Sequence, residues 1–320
     1  MKVLANDGIS KSGATALENA GFEVIIKKVA QEQLKDFINN NGINALLVRS
    51  ATKVRKDIID NCPGLKLIGR GGVGMDNIDV EYARKKGLHV INTPAASSGS
   101  VAELVFAHLF GGVRQLYHSN RNMPLEGETK FKELKKTYAG GVELRGKTLG
   151  IIGFGRIGRE VAKIALGIGM KVIASDSEVG EAEIELEFYN HQSIKIPIET
   201  EPVDMLIKHA DFITLHVPSQ EKHVIGAREI EKMKDGVGII NAARGGVLDE
   251  EAVLEAIDTG KVSFAAFDTY ENEPNPAIKL LMNESVSLSP HIGGSTHESQ
   301  ERIGLELAEQ IISLLKKEKA

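Results

Sequence analysis

The chain holds a single cysteine, Cys62, so no disulfide forms within it, and a reducing interior is the simpler reading. No run approaches the roughly 18 apolar residues of a membrane-crossing helix. The start, MKVLANDGIS, lacks the apolar core of a secretory signal. There is no basic excess either: a net charge of −5 leaves no positive field for nucleic acid or a membrane surface. These absences point to a soluble, cytoplasmic protein in which any anion is caught by a local site. Glycine is plentiful, but its 33 copies fall largely at turns and not in repeats. The 42% of apolar residues and the 320-residue length suit roughly two domains of about 150 residues each.

Short apolar runs alternate with helical patterns. KVLAN, EVIIKK, ALLVRS, LKLIGR and HVINTP read as strands, with almost no polar alternation, as in a parallel sheet buried on both faces. Between them lie SKSGATALENAG, stopped by Gly21, and QEQLKDFINNNG. After Pro94, SSGSVAELVFAHLFGGVRQLYHSNRNM reads as one long helix opening on small polar caps, followed by a charged surface segment, EGETKFKELKK. A second series of strands follows in KTLGII, KVIASD, DFITLHVP, GVGIINAAR, FAAFDTY and VSLSPH. A helix near STHESQERIGLELAEQIISLLKKEK closes the chain. The alternation predicts an α/β fold: two doubly wound, parallel-sheet, Rossmann-like domains with right-handed crossovers and a cleft between them. Residues 1–96 with 294–320 are expected to form one discontinuous domain and 97–293 the other. The acidic, irregular segment Ser177–Pro202 fits either a short helix or a hairpin and suggests no function.

GFGRIG, with Gly153, Gly155 and Gly158, follows the apolar run LGII and opens a helix. Alone, such a triplet is weak evidence. Here a strand precedes it, a helix follows, and Asp176 ends the next strand, 18 residues past Gly158. The first glycine allows a tight turn, the second lets a pyrophosphate approach the backbone, and the third permits close helix–strand packing. Arg156 and Ile157 open the helix, whose free N–H groups favour the phosphates. Asp176 suits the ribose hydroxyls and repels a 2′-phosphate, so NAD is favoured over NADP. His216 and Pro218 in LHVP, with Ala242 and Asp268, read as wall of the same pocket.

Arg244 lies in NAARGG, between two alanines and two glycines, where a guanidinium is costly unless an anion meets it. Glu273 follows FDTY and His291 follows VSLSP, so all three close strands of the cofactor-binding half. Ligands of open α/β sheets bind outside the carboxyl ends of strands. Taken singly, His291 reads as a loop histidine, Glu273 as turn chemistry before Pro274, and Arg244 as one side of an ion pair. Together they make a hydride-transfer set. His291 takes the hydroxyl proton of a 2-hydroxy acid, Glu273 stabilises the imidazolium, and Arg244 binds the substrate carboxylate and polarises its carbonyl.

GFGRIG with Asp176, NAARGGVLDEEAV, D-x-x-x-x-E-P and SPHIGGST together resemble the D-isomer-specific 2-hydroxyacid dehydrogenases. The likeness extends to RGGVGMDNID and NTPAASSGSVAE and so covers nearly the whole chain. It implies that Arg244, Glu273 and His291 are the catalytic triad. It also implies a homodimer built on the helix after Pro94, and a substrate domain that closes over the cleft. Within the family, ALLVRSATKV and LIGRGGVGMDNID are most similar to D-3-phosphoglycerate dehydrogenases, which serve serine synthesis. On that likeness the N–H groups of Gly72, Val73 and Gly74 hold the substrate carboxylate, and Arg49, Ser50 and Lys53 meet its phosphate. A glyoxylate/hydroxypyruvate reductase or D-lactate dehydrogenase is the alternative enzyme, and a non-catalytic NAD-sensing corepressor is the alternative class. The chain stops soon after its last helix, so a C-terminal regulatory domain and serine feedback are not expected. The segment after Asp176 is longer than the family pattern, and Ser177 stands where proline is more common.

Overall fold

The computed structural model describes residues 1–317; the expected helical end at Glu318 and Lys319 lies outside the described residues. The chain forms two compact units, Met1–Ser100 with the chain from Gly294 on, and Val101–Gly293.

In the first unit β1 (Lys2–Ala5), α1 (Lys11–Asn19), β2 (Glu23–Ile26), α2 (Gln31–Asn41), β3 (Ile43–Val48), α3 (Lys56–Asn61), β4 (Leu67–Arg70), α4 (Val80–Lys85) and β5 (His89–Asn92) alternate. Ser10 caps α1 by accepting the Gly13 N–H, and left-handed Gly42 ends α2. All strand pairs are parallel, in the order β2-β1-β3-β4-β5. Successive strand residues feed opposite faces: Leu46 joins one apolar cluster and Leu47 the other.

The second unit follows α5 (Ser98–Val113) and α6 (Leu116–Thr137) with β6 (Thr148–Ile152), α7 (Arg156–Gly167), β7 (Lys171–Ser175), β8 (Glu181–Glu187), β9 (Ser193–Glu199), α8 (Val203–His209), β10 (Phe212–Leu215), α9 (Ala227–Glu231), β11 (Val237–Asn241), α10 (Glu250–Asp258), β12 (Val262–Phe267), α11 (Ile278–Met282) and β13 (Val286–Leu288). Its main sheet is parallel, in the order β13-β12-β11-β10-β6-β7. Ile151 and Ile240 enter the apolar cluster on one face, Ile152 and Ile239 the cluster on the other.

The last helix, α12 (His297–Lys317), belongs to the first unit and packs on α1. Its stripe Ile303, Leu307, Ile311 and Leu315 is buried, at about 1.5–3 kcal/mol for each side chain relative to exposure. Gly13 and Gly304 let the two helices touch: a Cβ on Gly13 would lie 2.5 Å from the Gly304 carbonyl carbon.

Two expectations need correction or completion. The single helix after Pro94 is two, because Gln115 turns left-handed at φ 49° and donates its N–H to Gly112 O. The carbonyl of Val113, which a continuing helix would need, accepts the Val142 N–H instead, at 2.9 Å. A distant partner has displaced a local one. The segment after Asp176 is a hairpin, β8 against β9 in antiparallel register from Glu181↔Glu199 to Glu187↔Ser193. Its alternation explains the choice: Ala182 and Ile184 turn inward to the core, while Glu181 and Glu183 turn to solvent.

Candidate active site

In the second sheet the strand order reverses between β6 and β10, the point at which doubly wound sheets bind ligands. Gly153 leaves β6 at φ 94°, and a Cβ there would lie 2.5 Å from the His216 carbonyl oxygen at the end of β10. A Cβ on Gly158 would lie 2.2 Å from Gly153 O, so only glycine lets α7 start this close to the strand. Gly155 faces open space, and no side chain caps α7. The N–H groups that Arg156 and Ile157 contribute to the first turn are therefore left for an anion.

Asp176 closes this loop from the next strand. Its carboxylate accepts N–H groups from Phe154 (2.6 Å), Glu178 (2.9 Å) and Val179 (3.1 Å). Burial alone would raise its pKa, but these donors and the nearby Arg159 hold it below the ordinary value. His216 bonds Thr214 Oγ1 through Nε2 at 3.0 Å, while its Nδ1 is buried without a partner. Part of the residue reaches the surface, yet burial of the ring drives its pKa down to about 3. An open helix N-terminus, an ionised acid and an orphaned buried nitrogen fit a dinucleotide. Pro218 is exposed, and Ala242 is buried against the core.

The three residues singled out for chemistry converge at the carboxyl ends of β11, β12 and β13. His291 Nδ1 lies 2.9 Å from Glu273 Oε2, and Glu273 Oε1 accepts the Tyr270 N–H at 3.0 Å. His291 itself sits at φ 54°, a conformation that costs about 1–3 kcal/mol outside glycine and asparagine and needs support from its surroundings. Arg244 is half-buried and donates from Nη1 to Ala243 O at 2.6 Å. Its turn is clamped by Asn241, whose amide donates to Arg244 O (2.9 Å) and accepts from Ala243 N (3.1 Å). A Cβ on Gly245 would fall 1.9 Å from Tyr270 O, so this glycine brings the Arg244 turn against the Tyr270–Glu273 loop.

In the first unit Asp7 organises the loop after β3. It pairs with Lys28 and accepts the N–H groups of Arg49 (2.7 Å) and Thr52 (3.2 Å). Burial pulls the Arg49 guanidinium below its ordinary value, and the Asp7 charge opposes that shift. Ser50 is exposed on the same loop, and so is Lys53, whose N–H goes to Gln31. The glycine nest needs one correction. Gly72 donates its N–H to Thr93 Oγ1 at 2.8 Å, so of the three expected donors Val73 and Gly74 remain. Arg70, unmarked in the sequence, lies over this loop, with Nη1 1.7 Å from where a Gly72 Cβ would be.

Sequence reading gives Glu250 no role and places Asp268 only in the wall of the cofactor pocket, because the loops these two residues anchor meet them only in the fold. Glu250 is buried at the start of α10 and accepts the Glu271 N–H at 2.8 Å, steadying the approach to Glu273. Burial, with Glu271, Asp249 and Glu273 nearby, pushes its carboxyl up. Asp268 is 2% exposed and accepts the Ile292 and Gly293 N–H groups, each at 2.8 Å, so it anchors the loop that carries His291.

Residues 106–293 match the family described as D-isomer specific 2-hydroxyacid dehydrogenase, NAD binding domain. The chain belongs to this family. It is an NAD-dependent dehydrogenase, with NAD as the cofactor of the second unit. A hydroxypyruvate reductase of Thermotoga maritima is 43% identical over 320 residues, covering 98% of each chain. A D-3-phosphoglycerate dehydrogenase of Methanocaldococcus jannaschii is 40% identical over all of this chain, which spans 58% of that protein's length. The NAD+-bound 3-phosphoglycerate dehydrogenase of Entamoeba histolytica superposes with a TM-score of 0.77 at 28% identity, covering 99% of this chain and 96% of that one. Among the described residues no helix is long and apolar enough to cross a membrane.

Proposed function

We propose that the chain oxidises D-3-phosphoglycerate to 3-phosphohydroxypyruvate, the entry step of serine synthesis, and reduces the product in reverse. The observation that carries this reading is the pair Arg49 and Arg70. Both side chains lie against the glycine loop of the first unit, Arg49 beside Gly71 and Arg70 over Gly72. A substrate with a carboxylate at one end and a phosphate dianion at the other suits two guanidiniums, which form bidentate contacts to both groups. Arg70 joins the N–H groups of Val73 and Gly74 at the carboxylate, and Arg49 with Ser50 meets the phosphate.

NAD, when bound, supplies the hydride acceptor at its nicotinamide ring. Gly153, Gly155, Gly158, Arg156 and Ile157 hold its pyrophosphate, Asp176 its adenosine ribose, and His216, Pro218, Ala242 and Asp268 line the remainder. His291 is the acid–base residue. Its Nδ1–H is directed at Glu273 Oε2, which leaves the Nε2 lone pair to take the hydroxyl proton. Glu273 then faces an imidazolium and stabilises it. Arg244 binds the carboxylate and draws charge onto the carbonyl oxygen. The same residues serve a homodimer formed through α5 and α6, where Phe110, Leu116, Leu125 and Phe131 are exposed. One buried cysteine accords with a cytoplasmic site of action.

A second reading, a hydroxypyruvate reductase, is favoured by the Thermotoga maritima relative, where the match covers 98% of both proteins. Following NADH oxidation with 3-phosphohydroxypyruvate, hydroxypyruvate, glyoxylate and pyruvate separates the two. The phosphorylated acid is expected to have the highest kcat/KM, and Arg49→Ala to lower it by about 10²-fold or more. A higher value for an unphosphorylated acid overturns the phosphate assignment in favour of the reductase. Tight NADH binding without turnover of any acid would point instead to a sensor.

A further inference from the structure

We infer that His108 is a positioning residue for His291, acting through Ser289 and Asp268; the inference rests on the acid–base role proposed for His291. His108 lies on α5 among apolar residues and is 6% exposed, yet both ring nitrogens have partners. Nδ1 lies 2.8 Å from Ser287 Oγ and Nε2 2.9 Å from Ser289 Oγ. Ser287 and Ser289 are two residues apart on the extended chain at β13, so they present their hydroxyls to the same side. A leucine would fill this place in an apolar helix face. A histidine with both nitrogens engaged calls for a polar explanation.

The directions of these bonds follow from counting protons. Ser289 Oγ donates to Asp268 Oδ1 at 2.6 Å, and an ionised carboxylate only accepts. The single hydroxyl proton of Ser289 is thereby committed, so its contact with His108 runs from Nε2–H to the oxygen. Burial lowers the proton affinity of His108, against the opposing charge of Asp268, which suits a neutral ring with its lone pair on Nδ1. That lone pair accepts from Ser287 O–H. The chain of donors thus runs one way, from Ser287 to His108, to Ser289, to Asp268.

Asp268 is where this chain meets the reactive loop. Oδ1 also accepts the Ile292 N–H and Oδ2 the Gly293 N–H, the two amides that directly follow His291. From the other side, Ser289 O accepts both the His291 N–H (3.0 Å) and the Tyr270 hydroxyl (2.8 Å). The left-handed turn at His291 is therefore held by the groups that His108 orders. Without the Nε2–H donor, the Ser289 hydroxyl is free to turn away, Asp268 loses one of its three donors, and His291 relaxes from its place beside Glu273. The chemical step suffers, while the glycine loop and Asp176 keep their hold on NAD.

The test compares steady-state kinetics with the preferred oxo acid and NADH binding by fluorescence. His108→Leu keeps the bulk and removes the donor; kcat is expected to fall about tenfold, with KM and the NADH Kd within about twofold of wild type. His108→Gln returns an N–H near the Nε2 position and is expected to recover most of the lost turnover. Because His108 acts through Ser289, the double variant His108→Leu/Ser289→Ala should be no slower than Ser289→Ala alone. Turnover of His108→Leu within twofold of wild type overturns the inference. So does a loss matched in NADH binding and not rescued by glutamine, or two losses that multiply. His291→Gln is the control: if it abolishes turnover while His108→Leu stays within twofold of wild type, the acid–base reading stands and the inference falls. If His291→Gln turns over normally, both fall.

Discussion

Glu273 lies with Oε2 2.9 Å from His291 Nδ1 and Oε1 3.0 Å from the Tyr270 backbone nitrogen. The second contact orients the partly exposed carboxylate, so its charge is aimed at the imidazole. Replacing Glu273 with glutamine keeps much of the shape and removes the charge. We expect kcat to fall about 10–10²-fold with the NADH Kd unchanged, against about 10²–10⁴-fold for His291→Ala. Equal kinetics for Glu273→Gln and wild type in rapid-mixing assays would show that the charge is not used.

Gly245 predicts a structural lesion. A Cβ there meets Tyr270 O at 1.9 Å, and both partners are backbone, so Gly245→Ala forces apart the turn of Arg244 and the loop of Glu273. The expected cost is about 1–3 kcal/mol, read as a lower Tm, together with a loss of turnover. Gly167→Ala is the comparison. That helical glycine has nothing within 4 Å of its would-be Cβ, so alanine there should leave Tm unchanged or raise it slightly.

Asp176 has two tasks, and its removal should reveal both. Asp176→Ala takes away the repulsion that disfavours a 2′-phosphate, so the ratio of NADH to NADPH affinity should fall. It also leaves the Phe154 N–H without its 2.6 Å acceptor, so affinity for both cofactors should drop. Isothermal titration with each cofactor reads the two effects separately, and an unaltered ratio removes Asp176 from ribose recognition.

Acid should destabilise the fold through its buried histidines. Burial lowers His216 to about 3 and also lowers His108. Below the ordinary value of 6.5 the unfolded chain takes up protons that the folded chain refuses, so stability is lost as pH falls from there toward 3. Each such ring contributes at most about 1.4 kcal/mol per pH unit in that window. His216→Asn should therefore show a shallower decline of Tm between pH 6.5 and 4.5 than wild type. Identical slopes would mean that the His216 ring is not held neutral.

The parallel strands, the glycine turn with its acid, and the three polar residues at strand ends were legible in the sequence. Each is a local matter: an unbroken apolar run buries two faces, and a glycine triplet between strand and helix has few other uses. The segment after Asp176 is irregular in sequence and fits a short helix or a hairpin, and only the packing of Ala182 and Ile184 selected the hairpin.

Long-range partners decided the rest. The break at Gln115 depends on Val142 taking the Val113 carbonyl, and Gly72 lost its place in the nest because Thr93 takes its N–H. Arg70 acquires significance only by lying over Gly72, and His108 only by meeting Ser287 and Ser289 from 179 and 181 residues away. Sequence by itself determined which backbone forms were possible and which side chains had the right chemistry. Tertiary structure determined which hydrogen-bonding groups were already engaged, because a donor or acceptor is used up by whatever the fold brings within about 3 Å, however distant in the chain.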